Sequence, residues 1–222
     1  LWNGAEAVSV EPGDTRKRLF GVAVDVGSSK IVASLVDLVK GDVAGLGAIE
    51  NPQIVHGEDI ISRITYAMNS RAAAEELKAL VLNGVNSAVV EACEKAGVSP
   101  FNVYEAVVVG NTAMHHLLLG LETEFLAKAP YPPVLKNPLN ISADKVGVKI
   151  SRGGNVHMLP LIAGFVGSDH VADILSTRIH LSDRMSLVVD LGTNTEITLG
   201  DRMDLLSCSC ASGPAWEGAQ IK

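Results

Sequence analysis

Val24-Asp25-Val26-Gly27-Ser28-Ser29, near the start of the chain, returns as Val189-Asp190-Leu191-Gly192-Thr193-Asn194 near its end. In each copy an aspartate sits where an apolar, β-branched run meets a glycine and two small polar residues. Such runs predict a buried strand, a tight turn and a returning strand. The turn suits a nucleotide's phosphates. Gly27 and Gly192 let the backbone approach closely, neighbouring amides point inward, and Ser28, Ser29, Thr193 and Asn194 add polar side chains. Asp25 and Asp190 can each hold a magnesium-bound water. A single Asp-x-Gly-Ser is an ordinary hairpin turn. Two copies, separated by far more than a solenoid period, predict a duplicated domain whose two turns clamp one triphosphate.

Outward from the first copy, Lys30 to Leu38 and Val43 to Ile49 extend the turn into a three-strand meander, stopped by Asn51-Pro52. A helix follows around Asp59 to Met68. A longer one runs over Ala72 to Lys95, with Leu77, Leu80, Val81, Val85, Ala88, Val89 and Ala92 at helical spacing and Gly97 as its stop. Ala106 to Val109 predicts a buried strand, and Asn111 or Thr112 a cap for a helix through Leu119. Pro130 to Pro138 reads as irregular, Met158 to Ile162 as a strand, Gly167 to Thr177 as a helix opened by Ser168, and Ser186 to Leu191 as the strand of the second copy. The expected organisation is a linker over 1–18, a first lobe over 19–185 and the start of a second lobe over 186–222. Leu1 reads as a cut, and the second lobe as truncated at Lys222.

Acidic residues outnumber basic ones, 25 to 18, and the net charge of −7 disfavours nucleic acid and anionic membranes as partners. No apolar run reaches the ~18 residues a membrane helix needs. The three cysteines, Cys93, Cys208 and Cys210, lack metal-site spacing and read as small buried hydrophobes of a reducing cytoplasm.

Further candidates lie between and after the two turns. Asp169 and Asp173 share a helix face, and Asp169 can orient an attacking water or bind magnesium through water. The competing reading for both is a first-turn carboxylate that favours the helix dipole, and it is preferred for Asp173; His170 is expected at the surface. Gly213 and Glu217, in Ala211 to Gly218, suit a loop returning to the phosphates, the alternative being a turn covered by Trp216. His115 and His116, adjacent and on different helix faces, do not suit a metal. Asp59 and Arg63, one turn apart, predict an intrahelical ion pair or a partner-facing pair.

The paired turns, with Leu159 to Asp169 between them, resemble the phosphate loops and connecting helix of the actin, sugar-kinase and heat-shock ATPase superfamily. That implies an α/β, ribonuclease H-like fold with a mixed sheet. Asn51 to Ile64, Gly110 to Leu121 and Ala211 to Gly218 together resemble the reductive activators of corrinoid proteins, a likeness running from about Phe20 to the final residue. It implies ATP and Mg2+ as ligands, with Asp25, Asp169 and Asp190 catalytic, Asp25 and Asp190 near the metal, and the two turns, Gly213 and Glu217 at the nucleotide. It also implies an iron-sulfur cluster in a domain absent from this chain. The expected partner is a corrinoid protein, either a methyltransferase component or a corrinoid/iron-sulfur protein, and a homodimer stays open. Two alternatives share the fold: an actin-like cell-division or pilus-assembly scaffold, and a small-molecule kinase.

Overall fold

The computed structural model describes residues 4–213. Its framework is a sheet in the order β3 (Asp42–Glu50), β2 (Lys30–Asp37), β1 (Phe20–Val26), β4 (Val103–Gly110), β6 (Asn155–Met158), β5 (Leu139–Ser142). Strands β1 (Phe20–Val26), β2 (Lys30–Asp37) and β3 (Asp42–Glu50) form the expected antiparallel meander. Strand alternation sends Val22, Val24 and Val26 of β1, and Ile31, Ala33 and Leu35 of β2, into the core. The β2–β3 turn is closed by Asp37, whose carboxylate accepts the amides of Val39 and Lys40 at 3.0 and 3.2 Å.

Helix α1 (Ile60–Met68) is capped by Asp59, which accepts the Ser62 amide at 2.8 Å. Helix α2 (Arg71–Ala96) is capped by Ser70 and ended by Gly97 at a left-handed φ of 65°. It lies across β2 and β3 with Leu77, Val81, Val85, Ala88 and Ala92 fully buried. Two glycines of β3 allow this approach. A Cβ at Gly45 would stand 2.1 Å from the Ala92 carbonyl oxygen, and one at Gly47 2.0 Å from that of Ala88.

The chain then returns as β4 (Val103–Gly110), parallel to β1, and later as β6 (Asn155–Met158), parallel to β4. Between them come α3 (Thr112–Leu119), capped by Asn111 through the Met114 amide, and two elements the sequence reading left out: edge strand β5 (Leu139–Ser142) and the single turn α4 (Ala143–Val146). The strand expected over Met158 to Ile162 lies earlier. Pro160 has no amide for the ladder, and residues 159–166 instead form a loop in which the Ile162 and Ala163 amides donate to the Val166 carbonyl.

Helix α5 (Ser168–Thr177) packs against both β4 and a separate antiparallel sheet of β7 (Ser186–Leu191), β8 (Asn194–Gly200) and β9 (Leu205–Ala211). Ser168 does not cap α5. Its hydroxyl instead exchanges hydrogen bonds with the backbone of Gly110, accepting at 3.1 Å and donating at 3.0 Å. Cys93 is buried as expected, whereas Cys208 and Cys210 are exposed, because alternation along β9 turns both to the outer face.

Since the α2 backbone passes directly over β3, Gly47→Ala is expected to cost about 1–3 kcal/mol, the usual penalty of overpacking. A drop in the thermal unfolding midpoint measures this. An unchanged midpoint would mean that α2 has room to shift.

Candidate functional site

The first turn, residues 27–29, is held from its inner side by three hydrogen bonds. The side-chain amide of Asn51 donates to the Gly27 carbonyl at 2.8 Å, Arg63 Nη2 to the Ser28 carbonyl at 2.6 Å, and the Asn51 backbone amide to the Ser29 carbonyl at 2.8 Å. In a planar trans peptide the next residue's N–H points opposite to each carbonyl. Anchoring the oxygens inward therefore turns the amides after Gly27 and Ser28 outward, away from the core. Arg63 is fully buried; its Nε donates to the Gly57 carbonyl at 2.9 Å, and burial lowers its pKa to about 10, which leaves it charged at neutral pH.

This corrects the expectation for Asp59 and Arg63. Asp59 is spent on its helix cap, with Ser62 donating to both carboxylate oxygens, and the guanidinium runs inward to carbonyls. Asn51 likewise does more than stop a strand. Its side chain caps the 3-10 turn Pro52–His56 through the Gln53 amide while it grips Gly27.

The start of α5 is brought to this turn by the Ser168–Gly110 bonds, because Gly110 lies beside Val26 in the parallel β1–β4 register. Contact is close enough that a Cβ at Gly167 would stand 2.4 Å from Asn111 Cα. Asp169 thereby enters the field of Asp25, Asp190 and Glu196. Its carboxyl is pushed up to about 7, first by burial and then by the repulsion of those three carboxylates, against the opposing effect of the His170 amide. Asp25 itself is exposed, on the strand face opposite Val24 and Val26.

The second turn repeats the first with one change of register. Val26 pairs with Ile31, but Leu191 pairs with Thr195, so the second hairpin closes one residue sooner and Asn194 already belongs to β8. Glu196 then stands opposite Asp190, where the first hairpin has Val32 opposite Asp25. Glu196 is buried, accepts from the Ser209 hydroxyl at 2.8 Å, and has its pKa raised mainly by burial. Gly213 is brought to the same turn: its amide and that of Ser212 donate to the Thr193 carbonyl at 2.9 and 3.2 Å. Glu217 lies outside the described residues.

His170 is not at the surface. It is fully enclosed, with Nε2 2.6 Å from Thr198 Oγ1 and Nδ1 3.5 Å from Asp173 Oδ2. Asp173 sits beside Asp190 and is held above the ordinary carboxylate range, first by burial and then by Asp190, which outweigh the opposing pull of His170. The dipole reading preferred for Asp173 thus leaves out its main neighbours. Of the paired histidines of α3, His116 is structural: its Nδ1 lies 2.8 Å from the Thr112 carbonyl and its Nε2 accepts the Val134 amide at 2.9 Å, a neutral tautomer consistent with the downward pKa shift that burial gives it.

Sequence reasoning thus named the two turns, Asp169 and Gly213, and the structure brings all of them to one region. It missed Asn51, the inward role of Arg63, Glu196 and His170. The hairpin register carried the signal for Glu196, since a turn closing at Thr195 places residue 196 across from Asp190.

Compared with known proteins, the chain matches the family profile described as the RACo middle region over residues 20–182, and that described as the C-terminal domain of RACo, the ASKHA domain, over 184–222. It is 31% identical over 212 residues to the corrinoid activation enzyme RamQ of Eubacterium limosum, across 96% of this chain and 35% of that protein. To the Co(II) methylated amine-specific corrinoid protein reductase of Methanosarcina barkeri it is 25% identical over 219 residues, across 91% of this chain and 38% of that one. A solved reductive activator for a corrinoid, iron-sulfur protein superposes with a TM-score of 0.92 at 36% identity, covering 97% of this chain and 34% of its own. The chain spans about a third of the length of these relatives. Its fold is that of the actin-like ATPases, a mixed sheet followed by a separate three-strand antiparallel sheet, and the chain belongs to the RACo family.

Proposed function

We propose that the protein containing this chain reduces a corrinoid partner from inactive Co(II) to Co(I) at the expense of ATP, and that this chain supplies part of the ATP-binding and partner-binding domain. The observation that carries the reading is the pairing of two Asp-x-Gly turns, one from each sheet, around Asp169. The residues fit the ligand: glycine-bearing turns with small polar side chains suit phosphates, and carboxylates that repel one another suit a cation between them. Asp25 and Asp190 would hold Mg2+ through water, with Gly27, Ser28, Ser29, Gly192, Thr193, Asn194 and Gly213 at the phosphates. Bound magnesium neutralises charge on the phosphate oxygens. Asp169, whose proton affinity burial raises, orients the attacking water and accepts its proton.

The relatives named for corrinoid activation or reduction favour this reading over a filament scaffold or a small-molecule kinase. The electron comes from a reductant held outside this chain, for which an iron-sulfur centre is the candidate. No described helix is long and apolar enough to cross a membrane. The partner proposed is a corrinoid protein.

The test uses the full-length protein, a chemical reductant and a corrinoid protein under anaerobic conditions, with the Co(II) to Co(I) absorbance change as readout. Reduction should require ATP, and Asp25→Ala or Asp190→Ala should lower its rate at least a hundredfold. Filaments or a phosphorylated metabolite, without ATP-dependent reduction, would refute the activator reading.

A pH effect also follows from Asp169. Its folded pKa of about 7 lies above the ordinary 3.8. Its ionisation therefore opposes folding, with a penalty that is absent at low pH, grows as pH rises from about 4 and is complete above about 7. In the nucleotide-free protein, Asp169→Asn should stabilise more at pH 8 than at pH 5, by on the order of 2 kcal/mol after allowing for the part of the carboxyl that meets water. Thermal unfolding at both pH values measures it; equal gains would show that Asp169 is not raised.

A further inference from the structure

His170, Asp173 and Asp190 each direct one ligand atom into a common space, all of these atoms within 4.8 Å of one another. His170 and Asp173 are three residues apart on α5, and Asp190 lies near the end of β7, so the cluster joins the helix to the second sheet. Two of its atoms lack what buried polar atoms normally have. His170 Nδ1 and Asp173 Oδ2 are enclosed and have no hydrogen-bond partner, and their mutual 3.5 Å is long for one.

The far side of the imidazole is engaged by two hydroxyls. Nε2 is 2.6 Å from Thr198 Oγ1, and Thr198 Oγ1 is 2.6 Å from Ser207 Oγ. With Nε2 protonated, the ring donates to Thr198, and Thr198 in turn donates to Ser207. In that tautomer Nδ1 faces the Asp173 carboxylate at 3.5 Å as an acceptor, a juxtaposition that only a cation or a shared proton between them relieves. A ring fixed by an N–H bond on one side and open on the other is the arrangement that metal-bound histidines adopt.

We propose that His170 Nδ1, Asp173 and Asp190 form a binding site for a divalent first-row transition ion in the nucleotide-free protein; Asp190, which would reach the nucleotide's magnesium only through water, is the one residue the two sites share. One imidazole and two carboxylates match Mn2+, Fe2+ or Zn2+ better than Mg2+, which favours oxygen ligands and retains its water. Bonds of ~2.0–2.2 Å set neighbouring ligand atoms roughly 3–4 Å apart, so small side-chain rotations would close the cluster. The ion would staple α5 to the strand that carries the second turn and offset the repulsion among Asp169, Asp173, Asp190 and Glu196.

Mn2+ is the probe, added to full-length, nucleotide-free protein freed of metal on a chelating resin and followed by electron paramagnetic resonance. The expected result is one bound Mn2+ per chain whose echo modulation shows a directly ligated nitrogen. His170→Gln, whose amide can still donate to Thr198, should abolish the nitrogen modulation, and Asp173→Asn should weaken binding at least tenfold. Circular dichroism would establish that both variants stay folded. Mn2+ that binds only with ATP, that shows no nitrogen coupling, or that binds His170→Gln unchanged would overturn the site. The last two outcomes would assign Nδ1 a proton shared with Asp173. None of these outcomes depends on the corrinoid reading, which the cobalt assay tests separately.

Discussion

The geometry of the first turn depends on a buried guanidinium that faces carbonyl oxygens. Enclosing Arg63 costs desolvation, visible in its pKa of about 10. What offsets the cost is charge-assisted hydrogen bonding to Ser28 and Gly57, which also satisfies oxygens that would otherwise be buried unpaired. A lysine could not do this, because a single ammonium lacks the planar fork that reaches two loops at once. Asn51 completes the grip on Gly27 and Ser29. The turn is therefore set by the segment from Asn51 to Arg63 before any ligand arrives.

The site is joined to the core by backbone contact at glycines. Gly110 lies against Val26, with room for no Cβ: one would stand 2.8 Å from the Val26 carbonyl oxygen. Gly167 lies as closely on Gly110 and Asn111. Through these two contacts β1 and β4 end where α5 begins, which is where an open α/β sheet presents its ligand crevice. The polar stitch of Ser168 across the same junction fixes the rotation of α5 and hence the direction of Asp169.

Much of this was legible because it is local. Apolar, β-branched runs broken by a turn gave β1, β2 and β7, helical spacing gave α2, and a repeated six-residue pattern gave both turns. What stayed hidden depended on partners distant in sequence. Arg63 reads as a surface helical residue until Ser28, thirty-five positions earlier, is known to sit above it. His170 reads as exposed until β8 arrives with Thr198. Edge strand β5 is four residues long and follows a proline-rich stretch, so neither its composition nor its period stood out. Cys208 and Cys210 show the limit of composition: a small apolar residue on a strand follows the strand's parity, outward in this case.

The same parity explains why the repeat works twice. In the first hairpin Val24 and Val26 are 1% and 2% exposed, and Asp25 is on the opposite side of the strand. Their counterparts Val189 and Leu191 are 44% and 55% exposed, since no described element covers that side of the second sheet as α2 covers the first. Asp190 nevertheless points to the same region as Asp25, with Glu196 beside it. An aspartate one residue away from two apolar neighbours must face away from them in any strand. The direction of the carboxylate is therefore fixed by the alternation itself, and the apolar neighbours decide only how firmly the strand that carries it is held.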